Sequence, residues 1–346
     1  MRRHLNTLYV TTQGAWLNKD GENVVVSVEN VERGRVPIHT IGGIIGFGRV
    51  PMSPPLLGAC CAAGISVNYM TEGGRFLARV EGPVSGNVLL RRTQYRWADE
   101  SARRDAIIKS IVAGKILNQR AVLTRAARDH GGTMESADRE TLSAAADRLA
   151  GIVKRTEKPL DGDQLRGAEG EAGQVYFSVL DHLVRGERPL FAFKGRSRRP
   201  PMDATNALLS FAYALLTSDV RGALESVGLD PAVGYLHVDR PGRPSLALDM
   251  MEEFRPYFAD RLVLSLINRR QLGPKDFRTL DNGATLLTDD SRKTVLVAYQ
   301  ERKRDEIQHP FLDEKITVGL LWFVQAQLLA RHLRGDLDAY PPFIWK

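Results

Sequence analysis

The sequence predicts an α+β fold, with a small N-terminal β-sheet domain at residues 1–85 and a larger all-α C-terminal domain at residues 86–346. Short runs rich in Val, Ile and Thr, separated by turn residues, fill the first part. Beyond Gly86, apolar residues recur instead at helical spacing. The chain of 346 residues is also too long for one ordinary core, which favours two domains.

Short strands and one helix are predicted in the N-terminal domain. The strand candidates are LNTLYVTT, AWLN, NVVVSVE, RVPIHTI and GGIIGFG. A helix follows, because Ser53 can cap it, Pro54 suits its first turn and Gly64 can end it. The runs ISVNYM and RFLARVEG then predict a hairpin joined by residues 71–74.

Most of the C-terminal domain is predicted to be helical, with Asp or Ser at most helix starts. The predicted helices are 87–129, 136–154, a stretch after Asp161, 203–216, 245–269, 290–306 and 313–334. FRTLDNGATLL predicts a brief strand pair that turns at Asn282-Gly283. KGRSRRPP at 194–201 is the strongest loop candidate.

The composition is that of a soluble globular protein, with 43% hydrophobic and 26% charged residues. A net charge of +7 permits a polyanionic partner without requiring one. The two cysteines, Cys60 and Cys61, are adjacent and have no zinc-type spacing, so a reducing compartment is indicated. The sequence shows neither a secretory signal nor a membrane-spanning apolar run. A cytoplasmic protein without membrane association is predicted.

Three segments carry polar residues that could form a metal site. Glu169 lies among Gly167, Gly170 and Gly173, and His237 follows an apolar, strand-like run. Asp249 and Glu252 are three residues apart, so on a helix they share a face. One imidazole with two or three carboxylates suits Mg²⁺ or Mn²⁺ better than zinc. Taken singly, a residue such as Glu169 is more often an ordinary surface glutamate, one such as His237 a structural histidine, and a pair such as Asp249 and Glu252 part of an exposed helix face. The spacing in the sequence leaves open both this interpretation and that of a metal site.

Basic residues form two clusters that could contact DNA phosphates. The stretch LLRRTQYRW mixes arginines with Tyr95 and Trp97, which suits phosphate contact and base stacking. The 194–201 loop carries the second cluster. Either cluster could equally be a solvated face. The candidate DNA-binding residues are Arg91, Arg92, Arg96, Lys194, Arg196, Arg198 and Arg199.

Three motifs together resemble one protein family, the CRISPR adaptation integrases. They are GKILNQ at 114–119, GAEGEAGQVYF at 167–177 and GYLHVDRPGRPSLALDMMEEFRP at 234–256. The family comprises metal-dependent DNA endonucleases that insert new spacers into CRISPR arrays, and the resemblance extends over essentially the whole chain. GRVPIHTIGGI and GRFLARVEGPVSGNVLLRRTQYR look like the subtype I-C branch.

The resemblance implies a set of site residues. The metal ligands of the family fall on Glu169, His237 and Glu252, and a further acidic position falls on Asp249. Some relatives have Asp at the Glu252 position, so either Asp249 or Glu252 is the direct third ligand. Lys115, Asn118 and Gln119 would organise the helical core beside the site, and Asn206 would lie on a helix lining it. The glycines would let the helix that carries Glu169 pack against the segment that carries His237, called the histidine loop below, while DNA approaches.

The implied activity is the joining of DNA 3′-hydroxyl ends to a CRISPR repeat by transesterification, with Mg²⁺ or Mn²⁺ as cofactor. The substrates would be double-stranded and branched DNA. The resemblance also implies a homodimer formed through the β domains and a small companion adaptation protein, with the helical domain as the catalytic one. Two alternatives stay open, a non-catalytic DNA-binding assembly protein and a helical metal-dependent phosphohydrolase.

Overall fold

The structure, a computed structural model, describes residues 6–82, 88–129 and 134–345. The predicted fold class is confirmed, because a β-sheet region precedes a mostly helical region. The predicted domain boundary at residues 85 and 86 lies outside the described residues, so it stays a prediction.

Two sheets form the described N-terminal region. The strands are β1 Asn6–Val10, β2 Trp16–Asp20, β3 Asn23–Val28, β4 Val31–Pro37, β5 Ile41–Phe47, β6 Ser66–Met70 and β7 Phe76–Val80. In the four-stranded sheet, of order β1-β5-β6-β7, β5 pairs in parallel with both β1 and β6, whereas β6 and β7 are antiparallel. The order of the antiparallel three-stranded sheet is β2-β3-β4.

One helix, α1 Pro54–Ala62, connects β5 to β6. The Ser53 side chain accepts a hydrogen bond from the Leu56 N–H, and Pro54 occupies the first turn. Gly64 follows the helix with a φ of +63°, a conformation that glycine adopts without steric cost. The predicted start and end of this helix are confirmed.

The C-terminal region is built from helices with two short strand pairs between them. The helices are α2 Val88–Asp99, α3 Ser101–Asp129, α4 Ser136–Thr156, α5 Gly162–Ser178, α6 Arg188–Phe191, α7 Ala204–Ser226, α8 Ser245–Met251, α9 Arg261–Asn268, α10 Asp289–Arg304 and α11 Leu321–Arg334. The strand pairs are β8 Phe277–Thr279 with β9 Thr285–Leu287, and β10 Glu306–Gln308 with β11 Lys315–Thr317. The first pair confirms the predicted hairpin.

Several predicted helix boundaries are wrong. The helix predicted over 87–129 is two helices that meet at Glu100, and α7 extends beyond the predicted end to Ser226. The helix predicted over 245–269 contains a π-helical turn, Arg255–Asp260, because Pro256 has no N–H to donate. Residues 306–317 form a hairpin rather than the ends of two helices, since β10 pairs with β11 across a turn.

Two hydrophobic cores lie on opposite faces of the four-stranded sheet. Successive residues of a strand point to opposite faces. Accordingly Ile44 packs in the smaller core, which lies within the β region, and Ile45 packs in the large helical core. Phe47 also belongs to the helical core, where its ring centroid lies 6.0 Å from that of Phe211 on α7. The β region therefore packs directly onto the helices that carry the candidate site.

Among the helices within the described ranges, none has the length and apolar character to cross a bilayer.

Candidate active site

Glu169 lies in the middle of α5, and the start of this helix is fixed by its sequence. Asp161 and Gln164 form a capping box, in which the Asp161 side chain accepts from the Gln164 N–H at 2.8 Å and the Gln164 side chain accepts from the Asp161 N–H at 3.1 Å. A Cβ added to Gly167, Gly170 or Gly173 would meet no atom within 4 Å. They leave the surface beside Glu169 open. The helix itself does reach the loop that carries His237, because Arg166 Nη1 donates to the Leu236 carbonyl oxygen at 3.4 Å.

A buried lysine joins two of the predicted metal ligands. Lys115, on α3, is 5% exposed. Its ammonium group contacts Glu169 Oε1 and lies 2.7 Å from Glu252 Oε2. The structure thus brings Glu169, in α5, and Glu252, just after α8, to one cation. These contacts agree with the predicted organising role of Lys115, and the direct bridge between the two carboxylates was not predicted.

Glu252 is a fully buried anion held between positive charges. It follows α8 and is 1% exposed, with Arg255 Nη1 lying 2.6 Å from its Oε1. Burial alone would raise the pKa of Glu252, but the charges of Arg255, Lys115 and His237 lower this pKa to about 2. Its Oε2 faces the Lys115 ammonium, so each oxygen of this carboxylate lies against one cation. The pairing with Arg255 was missed, although its three-residue spacing from Glu252 is a recognisable signal.

Asp249 orients His237 rather than facing the same cation as Glu252. It is completely buried, and its Oδ2 accepts from the backbone N–H groups of Tyr235 at 2.6 Å and Leu236 at 3.0 Å. Its Oδ1 accepts from the His237 N–H at 2.9 Å and lies 2.6 Å from His237 Nδ1. Because an ionised carboxylate only accepts, the imidazole donates from Nδ1, and Nε2 is the ring nitrogen left for a ligand.

This arrangement corrects one structural prediction. The apolar run before His237 is an irregular loop and not a strand. Its N–H groups are satisfied by Asp249 instead of a neighbouring strand.

A second polar side chain fixes the start of the histidine loop. Gln94 on α2 is completely buried, and its Nε2 donates to the carbonyl oxygens of Asp230 at 2.8 Å and Val233 at 2.9 Å. Its Oε1 accepts from the Asp230 N–H at 2.9 Å. This residue was not predicted from the sequence. The only signal is that Gln94 follows the buried Leu90 by four residues, on the inward face of a basic helix.

Asn118 and the C-terminal residues support the other side of the site. The Asn118 side-chain amide donates to the carbonyl oxygens of Glu253 at 2.8 Å and Phe343 at 2.9 Å. The Glu253 carboxylate accepts from the Phe343 N–H at 2.6 Å and also from the Tyr340 hydroxyl at 2.5 Å. Burial raises the pKa of Glu253 to about 8, despite these hydrogen bonds. The predicted organising role of Asn118 has a direct structural basis.

The carboxylates around Lys115 and the imidazole of His237 are donor types that a hard divalent cation binds. Among the residues described, no group of three His, Cys, Asp or Glu side chains is placed to hold a metal. The Lys115 ammonium lies where Glu169 and Glu252 converge, 2.7 Å from Glu252 Oε2. Two carboxylates and an imidazole nitrogen are donors that suit Mg²⁺ or Mn²⁺.

Comparison with known proteins shows the family to which this arrangement belongs. The family profile described as CRISPR associated protein Cas1 matches residues 8–301. The chain belongs to the Cas1 family. A relative from Rhodospirillum rubrum, named CRISPR-associated endonuclease Cas1 2, is 59% identical over 347 residues, which cover 100% of both chains.

Solved structures share the fold of this Cas1 family member. A Cas1 protein from Thermotoga maritima superposes with a TM-score of 0.81 at 25% identity, covering 95% of this chain and 97% of that one. A casposase bound to integration product superposes with a TM-score of 0.83 at 21% identity, covering 99% of this chain and 94% of that one. The similarity to the casposase shows a shared fold and nothing more.

A cavity of about 540 Å³ opens beside Glu169 and Lys115 in this Cas1 chain. The basic 194–199 loop, predicted as a loop and confirmed as one, forms part of its wall. Arg196 holds this loop, because its Nη1 donates to Asn206 Oδ1 at 2.6 Å and to the Ser197 carbonyl at 2.7 Å. The exposed cations of the loop are Lys194, Arg198 and Arg199.

The other basic cluster lies away from that cavity. Arg91, Arg92 and Arg96 are on α2, and none of them lines the cavity. Arg92 and Arg96 are exposed, whereas Tyr95 donates from its hydroxyl to Asp230 Oδ2 at 2.8 Å. The contacts of this helix therefore support the histidine loop, and its arginines stay a predicted DNA surface.

Proposed function

We propose that this Cas1 chain is a metal-dependent DNA endonuclease and integrase that inserts new spacers into a CRISPR array. The observation that carries the proposal is the single cation shared by Glu169 and Glu252 beside the Asp249-oriented His237. In the reaction, the 3′-hydroxyl oxygen of a short DNA bonds to a phosphorus atom of the repeat. The bond from that phosphorus to the 3′-oxygen of the repeat breaks. The hydroxyl proton leaves, and the released 3′-oxygen gains a proton.

Each side chain of the site has a distinct role in this proposal. Glu169, Glu252 and His237 Nε2 would hold Mg²⁺ or Mn²⁺, which when bound supplies positive charge to the phosphate and favours loss of the hydroxyl proton. Asp249 fixes the imidazole orientation through Nδ1, and Arg255 keeps Glu252 ionised. We assign Glu252 as the direct third ligand because both Asp249 oxygens already accept hydrogen bonds.

With water in place of the DNA hydroxyl, the same residues would nick or resolve branched DNA. The exposed cations of the 194–199 loop would contact phosphates at the entrance to the cavity. The meeting of Glu169 and Glu252 at one buried cation supports an enzyme over a non-catalytic assembly protein. The neighbouring arginines support DNA as the substrate over a small phosphate ester.

The proposed subtype, location in the cell and protein partners rest on the resemblance of the sequence to the family. The chain is proposed to belong to the subtype I-C branch and to act in the cytoplasm. A homodimer through the β region is supported by Leu77 of β7, which is 53% exposed on an edge strand. A small companion adaptation protein would bind the dimer.

Integration of a labelled duplex into a repeat-bearing plasmid tests the function. We expect joined product with Mn²⁺ and none with chelator. Glu169→Gln and His237→Ala should each abolish joining and lower Mn²⁺ affinity, measured by calorimetry, because each variant lacks one ligand. Glu252→Ala should lower Mn²⁺ affinity more than Asp249→Ala.

Arg334→Met is the control, since Arg334 pairs with Asp336 at the end of α11 and has no part in the proposed site. Near-normal Mn²⁺-dependent joining by a folded Glu169→Gln protein would refute the metal site. A larger loss of Mn²⁺ affinity in Asp249→Ala would reverse the assignment of the third ligand.

A further inference from the structure

A second cavity, of about 570 Å³, lies beside the loop that carries His237. Its walls come from β7, from α7 and from residues 231–244. Four arginines and one carboxylate, Asp239, line it. The arginines are Arg79, Arg221, Arg240 and Arg243.

Arg221 is a partly buried cation in this cavity that forms no ion pair with a carboxylate of the described residues. Its guanidinium lies over the Phe76 ring, 4.5 Å from the centroid, and its Nε is buried without a hydrogen-bond partner. Burial, and then the charge of Arg79, lower the pKa of Arg221 to about 10. A partly desolvated cation beside a like charge is unfavourable unless an anion accompanies it.

The neighbouring carboxylates are engaged elsewhere or lie at the rim. Arg79 forms ion pairs with Glu81 and Glu225, so those two anions already have a cation. Asp239 is exposed, and its Oδ1 accepts from the Gly234 N–H at 3.3 Å. Asp230 is a further anion close to Arg79. Among the described residues, no carboxylate forms an ion pair with Arg221, Arg240 or Arg243.

We propose that this cavity binds a phosphodiester of a DNA strand, with Arg221 at its back and Arg240 and Arg243 at its rim. Guanidinium groups match the oxygens of a phosphate through forked hydrogen bonds, and they do so better than a lysine ammonium. That the phosphate belongs to DNA rests on the proposed function. The same chemistry would also hold free phosphate, and the test separates the two sources.

The position of the cavity gives the contact a consequence for the active site. Arg240 and Arg243 lie on the segment between His237 and Ser245, where α8 begins. Pro241 and Pro244 restrict this segment, so a phosphate held there fixes the DNA relative to the imidazole. The cavity would be a DNA contact distinct from the cavity beside Glu169.

Salt-dependent DNA binding in chelator tests the contact without any catalysis. Arg221→Met keeps the stacking bulk on Phe76 and removes the charge. Removing one phosphate contact lowers the slope of log K against log salt by about 0.9 for duplex DNA and about 0.7 for a single strand. We expect that decrease for Arg221→Met, and none for the control Arg334→Met or for the charge-conserving Arg221→Lys.

The double variant Arg240→Met/Arg243→Met provides an independent readout, because both residues lie on the loop and substitution there leaves the helices intact. It too should show a lower slope. Unchanged slopes in both folded proteins overturn the proposal. Inorganic phosphate that binds wild type but not Arg221→Met, with DNA slopes unchanged, shows a free-phosphate site and overturns the DNA assignment.

The plasmid integration assay separates this inference from the proposed function. If the wild-type protein fails to integrate DNA while the salt slope of DNA binding still falls in Arg221→Met, the DNA contact at Arg221 is supported and the proposed integration reaction is refuted. If the wild-type protein integrates DNA and the salt slopes of the two proteins are equal, the proposed reaction is supported and the contact at Arg221 is refuted.

Discussion

The carboxylate of Asp249 offers the sharpest test of how the histidine loop is built. Asp249→Asn keeps the shape of the side chain and replaces one acceptor oxygen by an NH₂ group. In the wild type each oxygen accepts two hydrogen bonds, one oxygen from Tyr235 and Leu236 and the other from two groups of His237. Either orientation of the amide therefore places its NH₂ against two donors.

The magnitude follows from the hydrogen bonds that the substitution removes. A hydrogen bond to a charged group contributes about 1.5–3 kcal/mol, so removing two costs roughly 3–6 kcal/mol. Asp249 is 0% exposed, and solvent cannot replace the missing acceptor. Because the bonds share one network and are not additive, we expect a loss of about 3 kcal/mol. That is a large part of the ~5–15 kcal/mol that stabilises an ordinary domain.

Urea unfolding followed by circular dichroism measures this loss. Asp239→Asn is the matched control, because Asp239 is an exposed aspartate on the same loop and should change the unfolding free energy by less than about 0.5 kcal/mol. Mn²⁺-dependent nicking should fall in Asp249→Asn under conditions where the protein remains folded, since the imidazole loses its fixed orientation. An Asp249→Asn protein with the urea midpoint and nicking rate of wild type would refute this account of the loop.

Three further outcomes are expected. Burial raises the pKa of Asp260 to about 6, so protonated Asp260 adds to the free energy of unfolding below about pH 4, and this contribution is lost as the pH rises through 6. The free energy of unfolding should therefore fall by about 3 kcal/mol over this range from Asp260 alone. Urea titrations at several pH values should show a smaller fall in Asp260→Asn. Gln94→Ala should lower the unfolding free energy by roughly 1–3 kcal/mol, because it leaves three backbone groups of the histidine loop unpaired, and an unchanged urea midpoint would contradict this. Neutralising the exposed cations of the 194–199 loop, which are Lys194, Arg198 and Arg199, should lower the slope of log K for DNA against log salt by about 0.9 for each true phosphate contact. The Mn²⁺ affinity measured by calorimetry should stay unchanged. An unaltered slope would show that the loop is a solvated surface without DNA contacts.

Local chemistry made the short-range elements predictable. The first helix could be placed from Ser53, Pro54 and Gly64 alone, because a cap, a first-turn proline and a left-handed glycine act within a few residues. The hairpin at Asn282-Gly283 was found for the same reason. The break at Glu100 was missed, since neither proline nor glycine marks it.

The candidate site depends on contacts between distant residues, which spacing alone does not reveal. The run before His237 has the composition of a strand, but Asp249, twelve residues later, accepts its N–H groups and makes it a loop. Lys115 and Glu169 are 54 residues apart and meet only because α3 packs against α5. The family resemblance supplied the identities of these residues, and the structure shows which of them touch.

The two-faced sheet has a consequence for attempts to divide the protein. Phe47 and Met70 belong to the β region, yet both are buried in the core formed by the helices. A fragment ending at residue 82 would expose them to water, at a cost of about 1.5–3 kcal/mol for each side chain. The sheet and the helices should therefore unfold in one cooperative transition, and self-association of the β region has to be measured on the whole chain.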